Sequence, residues 1–375
     1  MVIDISPKHK EIEQTGFSLK KLWNSLQVIG SVPSKEKIFF VKNLQVMIRS
    51  GLALDKGLHT LAEQTTNKHF KKILLDLARD TEKGLAFSVS LKKYENVFGG
   101  LFVNMVEAGE ISGRMEDVLS QIYLQLKKTQ ELKNKIVGAM TYPIIVVLSM
   151  LLIGIGMIIF VVPKITGIFT ELNTELPLPT KMLIGTSDFI INNGILSALA
   201  AIILIGGIVL SMKLQTTKKL WHWLYINFPI FGPIVKKINL AKFCRTLSSL
   251  MKSDIAITKA FETTSMVVSN LYYHEALLNS IEKLKSGVSM TEVVSAYHHL
   301  FPPVVTQMMA SGEETGTVDE ILGELASFYE EEIDQTMKTL PTIIEPVLML
   351  VLGVGVGLMA IAIIMPMYSI TESIN

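Results

Sequence analysis

The sequence predicts an all-α, polytopic membrane protein: two repeated six-helix cytoplasmic bundles and three transmembrane helices. Three observations lead there. Only 18% of the 375 residues are charged and 49% are apolar, against about a quarter charged in a typical soluble protein, and the mean hydropathy is +0.42. The apolar residues gather into three long runs rather than spreading along the chain. An offset of 203 residues, which carries Phe40 onto Phe243, aligns the two halves without a gap.

The elements follow in order. The arm at 1–35 begins with alternating apolar and charged residues and has no apolar core of the 7–15 residues a cleavable signal needs, so entry into the membrane falls to internal helices. The first module spans 36–141. Its first helix carries the stripe Phe40, Leu44, Met47 and Ile48, and Gly51 ends it. Leu58, Leu61 and Ala62 mark a second helix, and Phe70, Ile73, Leu74 and Leu77 a third that stops near Gly84. Ser88 is the expected N-cap of a short fourth helix reaching Tyr94, and a fifth runs over about 100–108. The sixth starts near Arg114, sets Val118, Leu119, Ile122 and Leu126 on one face, and runs on into the membrane. Pro143 is expected to kink it by removing a hydrogen bond and crowding the carbonyl of Ala139. The second module, 239–344, repeats this plan.

The first span covers 142–163, an uncharged run between Pro143 and Pro163; the second covers 194–212; the third covers 345–366, between Pro346 and Pro366. Each approaches the roughly 20 residues that cross a hydrocarbon core. Lys127, Lys128, Lys133 and Lys135 precede the first span, and Lys213, Lys218, Lys219, Lys236 and Lys237 follow the second. The loop 164–193 holds only Lys164 and Lys181 against Glu171, Glu175 and Asp188, and the tail 367–375 has no cation. The positive-inside rule therefore puts the N-terminus and both modules in the cytoplasm, and the loop and tail outside. Trp221, Trp223, Tyr225, Phe228 and Phe231, broken by Pro229 and Pro233, make the linker 213–238 an elbow along the inner interface. The duplication demands the same layout, because one unmatched crossing must return the chain before the second copy begins.

In the repeat register Leu44 meets Leu247, Asn67 meets Asn270, Gly84 meets Gly287, and Pro143 and Pro163 meet Pro346 and Pro366. The sharpest local match is a pair of glycine–glutamate turns, Gly109-Glu110-Ile111-Ser112-Gly113 and Gly312-Glu313-Glu314-Thr315-Gly316. Paired glycines permit a tight helix-to-helix turn, and the acids after it (Glu116, Asp117, Asp319, Glu320) suit a helix N-terminus. The same turns also suit partner docking, through Gly109, Glu110, Gly113, Gly312, Glu313 and Gly316. A divalent-metal role for Glu107, Glu110 or Glu313 has no diagnostic spacing behind it, and no metal is assigned. Glu345 stands at the inner edge of the third span, where it reaches water; deeper it costs roughly 3 kcal/mol. Gly353 and Gly357 give a GxxxG spacing suited equally to packing within the chain and to an oligomer contact.

Chemistry is harder to find. Cys244 is the single cysteine, which excludes an intrachain disulfide and a cysteine metal site. There is no phosphate-binding loop, zinc spacing among the histidines, or nucleophile elbow, so no enzyme activity and no cofactor are expected. A net charge of +1, with lysines beside apolar runs, argues against direct nucleic-acid binding. A small transporter or channel is the alternative class, but it needs ionisable groups at mid-membrane depth, and the spans offer almost none.

From about Phe39 to Ile370 the chain resembles the PilC/GspF family, the inner-membrane platform proteins of type IV pili, type II secretion and competence pseudopili. The resemblance lies in Phe40 to Leu58, both glycine–glutamate turns, Tyr142-Pro143, Val162-Pro163-Lys164, Leu176-Pro177-Leu178-Pro179-Thr180, Phe228-Pro229-Ile230-Phe231-Gly232-Pro233, and the third span from Glu345-Pro346 through Gly353, Gly357 and Pro366. It implies a non-enzymatic platform in the bacterial inner membrane. The implied partners are a hexameric assembly ATPase, pilin or pseudopilin subunits, other inner-membrane assembly proteins and further copies of itself.

Overall fold

The computed structural model describes residues 32–164, 166, 178–229 and 231–374. Most of the N-terminal arm, and the Leu176-Pro177 stretch with Glu171 and Glu175, lie outside the described residues. The chain forms two compact units, one ending at Tyr123 and the other starting at Leu124.

The first unit contains α1 (Ser34–Arg49), α2 (Leu54–Gln64), α3 (Lys68–Glu82), α4 (Phe87–Lys92), α5 (Glu95–Phe98), α6 (Gly100–Ser112) and the start of α7 (Met115–Gly156). The second holds the rest of α7, which continues into a π-helical turn (Met157–Val161), then α8 (Leu178–Asn192), α9 (Gly194–Lys213), α10 (Gln215–Asn227), α11 (Gly232–Lys252), α12 (Ile257–Val267), α13 (Leu271–Lys285), α14 (Met290–Ser295), α15 (Pro303–Thr315) and α16 (Val318–Ile374). No strand occurs among the described residues.

The duplication is visible in the helix boundaries. Moved by the repeat offset, α2, α3, α4 and α6 coincide residue for residue with α12, α13, α14 and α15, and the first residue of α7 falls on that of α16. The turns agree too. Left-handed Gly84 (φ 81°) and Gly113 (φ 70°) fall on Gly287 (φ 88°) and Gly316 (φ 73°), and Gly51 (φ 80°) falls on Asp254 (φ 58°). Both third helices begin with an asparagine cap: Asn67 accepts from the backbone N–H groups of His69 and Phe70, and Asn270 from that of Tyr272. The copies part at Gly99, whose φ of 89° closes α5; its mate Pro302 leads straight into α15. The first module thus has a four-residue helix that the sequence reading missed.

Each module is held by an aromatic core at matching positions. Phe40, Phe70 and Phe98 meet at centroid distances of 5.6–5.9 Å, and Phe102 joins at 5.0 Å. In the second module Phe243 and Tyr273 pack on Phe301 at 5.0 and 5.4 Å, and Phe261 joins Phe243 at 6.3 Å. Leu58 and Phe102 of the first copy are replaced by Phe261 and Val305 in the second, so a ring moves across the core while its volume is kept. Burying each such ring contributes roughly 2–3 kcal/mol. Where Phe70 became Tyr273, the new hydroxyl donates to the Leu300 carbonyl at 2.7 Å, as a buried polar group must. Cys244 is fully buried and burial pushes its thiol pKa up, so it is an inert packing residue.

Among the described residues, three helices are long and apolar enough to cross a membrane: those containing 115–164, 194–212 and 318–362. Their most apolar stretches are uncovered by the rest of the chain, with Ile195, Ile202 and Leu350 each more than 60% exposed. Such faces need lipid or another helix. The chain is a multi-pass membrane protein. Pro143, Pro346 and Pro366 all lie within continuous helix. Pro143 is buried, and Glu345 and Pro346 are exposed.

Part of the expected outer loop is helical. One face of α8 turns inward; Ser187 donates to the Ile158 carbonyl in the π-helical turn and Thr180 to the Ala362 carbonyl of α16, both at 2.7 Å. Two residues seven apart on one helix therefore tie α8 to two spans. The segment expected to lie along the inner interface contains α10, and there Trp221 Nε1 donates to Ser211 Oγ at 3.2 Å. Leu271 N–H donates to His222 Nδ1 at 3.1 Å, fastening α10 to α13, and burial together with nearby Lys218 holds the His222 pKa below its ordinary value.

Candidate functional site: the paired glycine–glutamate corners

In each copy the glycine–glutamate segment forms the last turn of one helix (α6 or α15) and the bend into the long helix that reaches the membrane (α7 or α16). The four glycines divide into two jobs. Gly113 and Gly316 take the left-handed conformation that ends the helix, with open space where a side chain would stand. Gly109 and Gly312 let the helices touch. A Cβ on Gly109 would lie 2.9 Å from Val118 Cβ and Cγ2, and one on Gly312 would lie 3.0 Å from Val318 Cα.

The glutamates reach across the module. Glu110 accepts from Phe87 N–H at 2.5 Å through Oε1, and from Ser88 N–H and Ser88 Oγ at 3.0 and 2.6 Å through Oε2. Glu313 repeats this on Met290 N–H (2.6 Å) and Thr291 N–H (3.1 Å). Both carboxylates thus satisfy the free N–H groups at the start of a six-residue helix, α4 or α14, and complement its dipole. The expected cap of α4, Ser88, is not the cap: Ala86 holds that position and Ser88 itself donates to Glu110. In the second copy the Thr291 hydroxyl is buried without a partner, so its corner has one hydrogen bond fewer. Thr317, just before α16, shares a hydrogen bond with Thr315 at 2.7 Å.

The geometry gives the glutamates an internal, shape-setting task and leaves their neighbours outside. Ile111 is 83% exposed and Glu314 is exposed as well. No group of three or more metal-ligating side chains occurs among the described residues. The glycines of the third span face open space: a Cβ at Gly353 or Gly357 meets nothing within 4 Å.

Behind the first corner, Asp80 accepts from Lys93 at 2.7 Å and Asp76 from Tyr94 Oη at 2.6 Å. The Lys93 hydrogen bond holds the Asp80 pKa below its ordinary value, and burial followed by the Asp76 contact pushes Tyr94 up to about 12. In the second unit the lower part of α7 is laced to the second module. Glu330 takes Arg245 at 2.8 Å and Lys128 at 3.3 Å, and Asp334 takes Lys135 at 3.0 Å and Lys338 at 2.9 Å. Buried Gln125 donates to Thr246 at 3.1 Å. Sequence reading missed these contacts because each joins residues about 85 to 200 positions apart, apart from Lys338, which sits one turn along α16 from Asp334.

The family described as Type II secretion system (T2SS), protein F, matches this chain twice, over residues 40–163 and 243–366. The two matches stand in the same register as the internal repeat. A type IV pilus assembly protein PilC of Myxococcus xanthus is 32% identical over 346 residues, covering 92% of this chain and 83% of the relative. The PilC of Thermus thermophilus is 33% identical over 341 residues, covering 91% and 84%. A type II secretion system protein F of Aeromonas hydrophila is 28% identical over 370 residues, covering 97% and 94%.

Proposed function

The chain belongs to the type II secretion system protein F family, and on that premise we propose that it is a non-catalytic platform of the bacterial inner membrane. In this reading it couples a cytoplasmic hexameric ATPase to the insertion of pilin or pseudopilin subunits into a filament. The relatives' names place them in type IV pilus assembly and in type II secretion. One observation carries the mechanical part: each module passes into its span through a single unbroken helix, α7 or α16. Met115 precedes Ile144 by 29 residues, about 43 Å of helix. A torque or push applied at the far end of such a lever reaches the bilayer without crossing a loop.

With the N-terminus and both modules cytoplasmic, the corners stand at the ends of these levers away from the membrane. That makes them the natural place for the ATPase to dock, with Glu110 and Glu313 shaping the surface from within. The open Gly353–Gly357 face suits a contact with another membrane helix, including one from a further copy of the chain.

Deleting the gene and restoring it on a plasmid tests the reading. Loss and recovery of surface filaments or of secretion is expected, together with co-purification of the assembly ATPase with the intact chain. Normal filaments, secretion and DNA uptake in the deletion strain would overturn it.

A further inference from the structure

Helix α10 is held on two sides and bare on a third. Trp221 reaches Ser211, and Tyr225 Oη donates to Met212 Sδ at 3.8 Å, so one flank lies along the last turn of α9. His222 accepts from Leu271 N–H, its own carbonyl accepts from Asn270 Nδ2 at 3.1 Å, and Lys219 pairs with Glu275 at 3.1 Å. That edge carries α13. By helical spacing (i, i+3, i+4) Leu220, Trp223 and Leu224 share the side opposite His222, and they are 65%, 51% and 41% exposed.

The level of this bare face decides what covers it. Ser211 is the next-to-last residue of the apolar stretch 194–212. The Trp221 bond folds the middle of α10 back onto that residue, so the helix stays where the span leaves the hydrocarbon. Leu210 and Leu214, 62% and 57% exposed, continue the apolar surface of the span toward it. Leucine and tryptophan on one side with exposed Lys218 beside them is the make-up of a helix seated among lipid headgroups. The segment also recurs: Lys218-Lys219-Leu220-Trp221 repeats Lys20-Lys21-Leu22-Trp23, and Leu224 falls on Leu26 in the same register. Both copies stand upstream of a module, outside the stretches 40–163 and 243–366 shared with the family. We propose that α10 is a lipid-seated brace. Leu220, Trp223 and Leu224 enter the leaflet surface from which α9 emerges, and His222 on the other edge holds the second module to that surface. The proposal needs the chain to be a membrane protein and does not depend on the platform reading.

Because Cys244 is buried, L220C and L224C can each carry a single environment-sensitive dye. The intact labelled chain is placed in nanodiscs of phosphatidylcholine and phosphatidylglycerol, with or without bromine on the upper part of the acyl chains. Brominated lipid is expected to cut the emission at both positions at least twofold, and iodide in the buffer to leave it nearly unchanged. Quenching by iodide and not by bromine puts the face in water, and quenching by neither puts it under protein; each result overturns the proposal. The chain has three tryptophans, so W23F/W221F leaves Trp223 as an unlabelled second probe for the same quenchers. Circular dichroism matched to the parent excludes misfolding. H222A is expected to speed hydrogen exchange at Leu271 while the bromine quenching persists, and unchanged exchange there overturns the holding role.

Discussion

At Gly109 and Gly113, four residues apart, the same residue type serves different physics. Gly113 needs a left-handed backbone with space around it, whereas Gly109 needs an ordinary helical backbone with no space at all. Gly113→Ala should therefore cost about 1–2 kcal/mol and Gly113→Asn distinctly less, because asparagine tolerates that conformation. Gly109→Ala should cost about 1–3 kcal/mol from overpacking against Val118, and Gly109→Asn more still. Thermal unfolding of the four variants distinguishes the two mechanisms. Asp80 adds a pH test. Its pKa is depressed in the folded state, so its contribution is present above the unfolded value, near 4, and is lost as pH falls through the folded one. Asp80→Asn should lower stability at pH 7, and the gap to the parent should close as the pH drops toward 3. The glycines were legible in the sequence because turn chemistry is local. The task of Glu110 was not, since its donors lie 22 and 23 residues upstream. A signal existed: the glutamate is kept between the copies while its neighbour changes from Ile111 to Glu314.

Among the elements, α4 and α14 depend most on a distant residue. Six residues cannot sustain a helix alone, because nucleation outweighs the few bonds gained. The carboxylate on their first N–H groups offsets that cost. Glu110→Gln and Glu313→Gln should each cost about 1–3 kcal/mol, read as faster hydrogen exchange in α4 or α14 ahead of the rest of the module. Uniform exchange would show that the cap is dispensable. Apolar stripes made the longer helices of the first module readable, and Gly51 and Gly84 marked the ends of two of them. α5 was not, because four residues are too few for a period, and α8 was not, because its inward face is set by two hydroxyl groups rather than by apolar residues alone. Removing both hydroxyls, in Thr180→Val with Ser187→Ala, should lower thermal resistance in detergent by roughly 0.6 kcal/mol per bond.

For the whole molecule, the claim that governs the rest is that two copies of one module face the same compartment, with α9 returning the chain between them. The register of the duplication was legible in the sequence, and the structure places the first residues of five helix pairs on it. The side of the membrane rests on lysine placement. Buried Cys244 leaves the chain almost silent to thiol reagents, so new cysteines can be read one at a time. Glu63 and its repeat mate Met266 are both exposed, as is Met182 on α8. Each is replaced by cysteine and treated with a membrane-impermeant maleimide. E63C and M266C are expected to label only after the inner membrane is opened, while M182C labels in intact spheroplasts. Labelling of M266C in intact spheroplasts, with E63C protected, would contradict it.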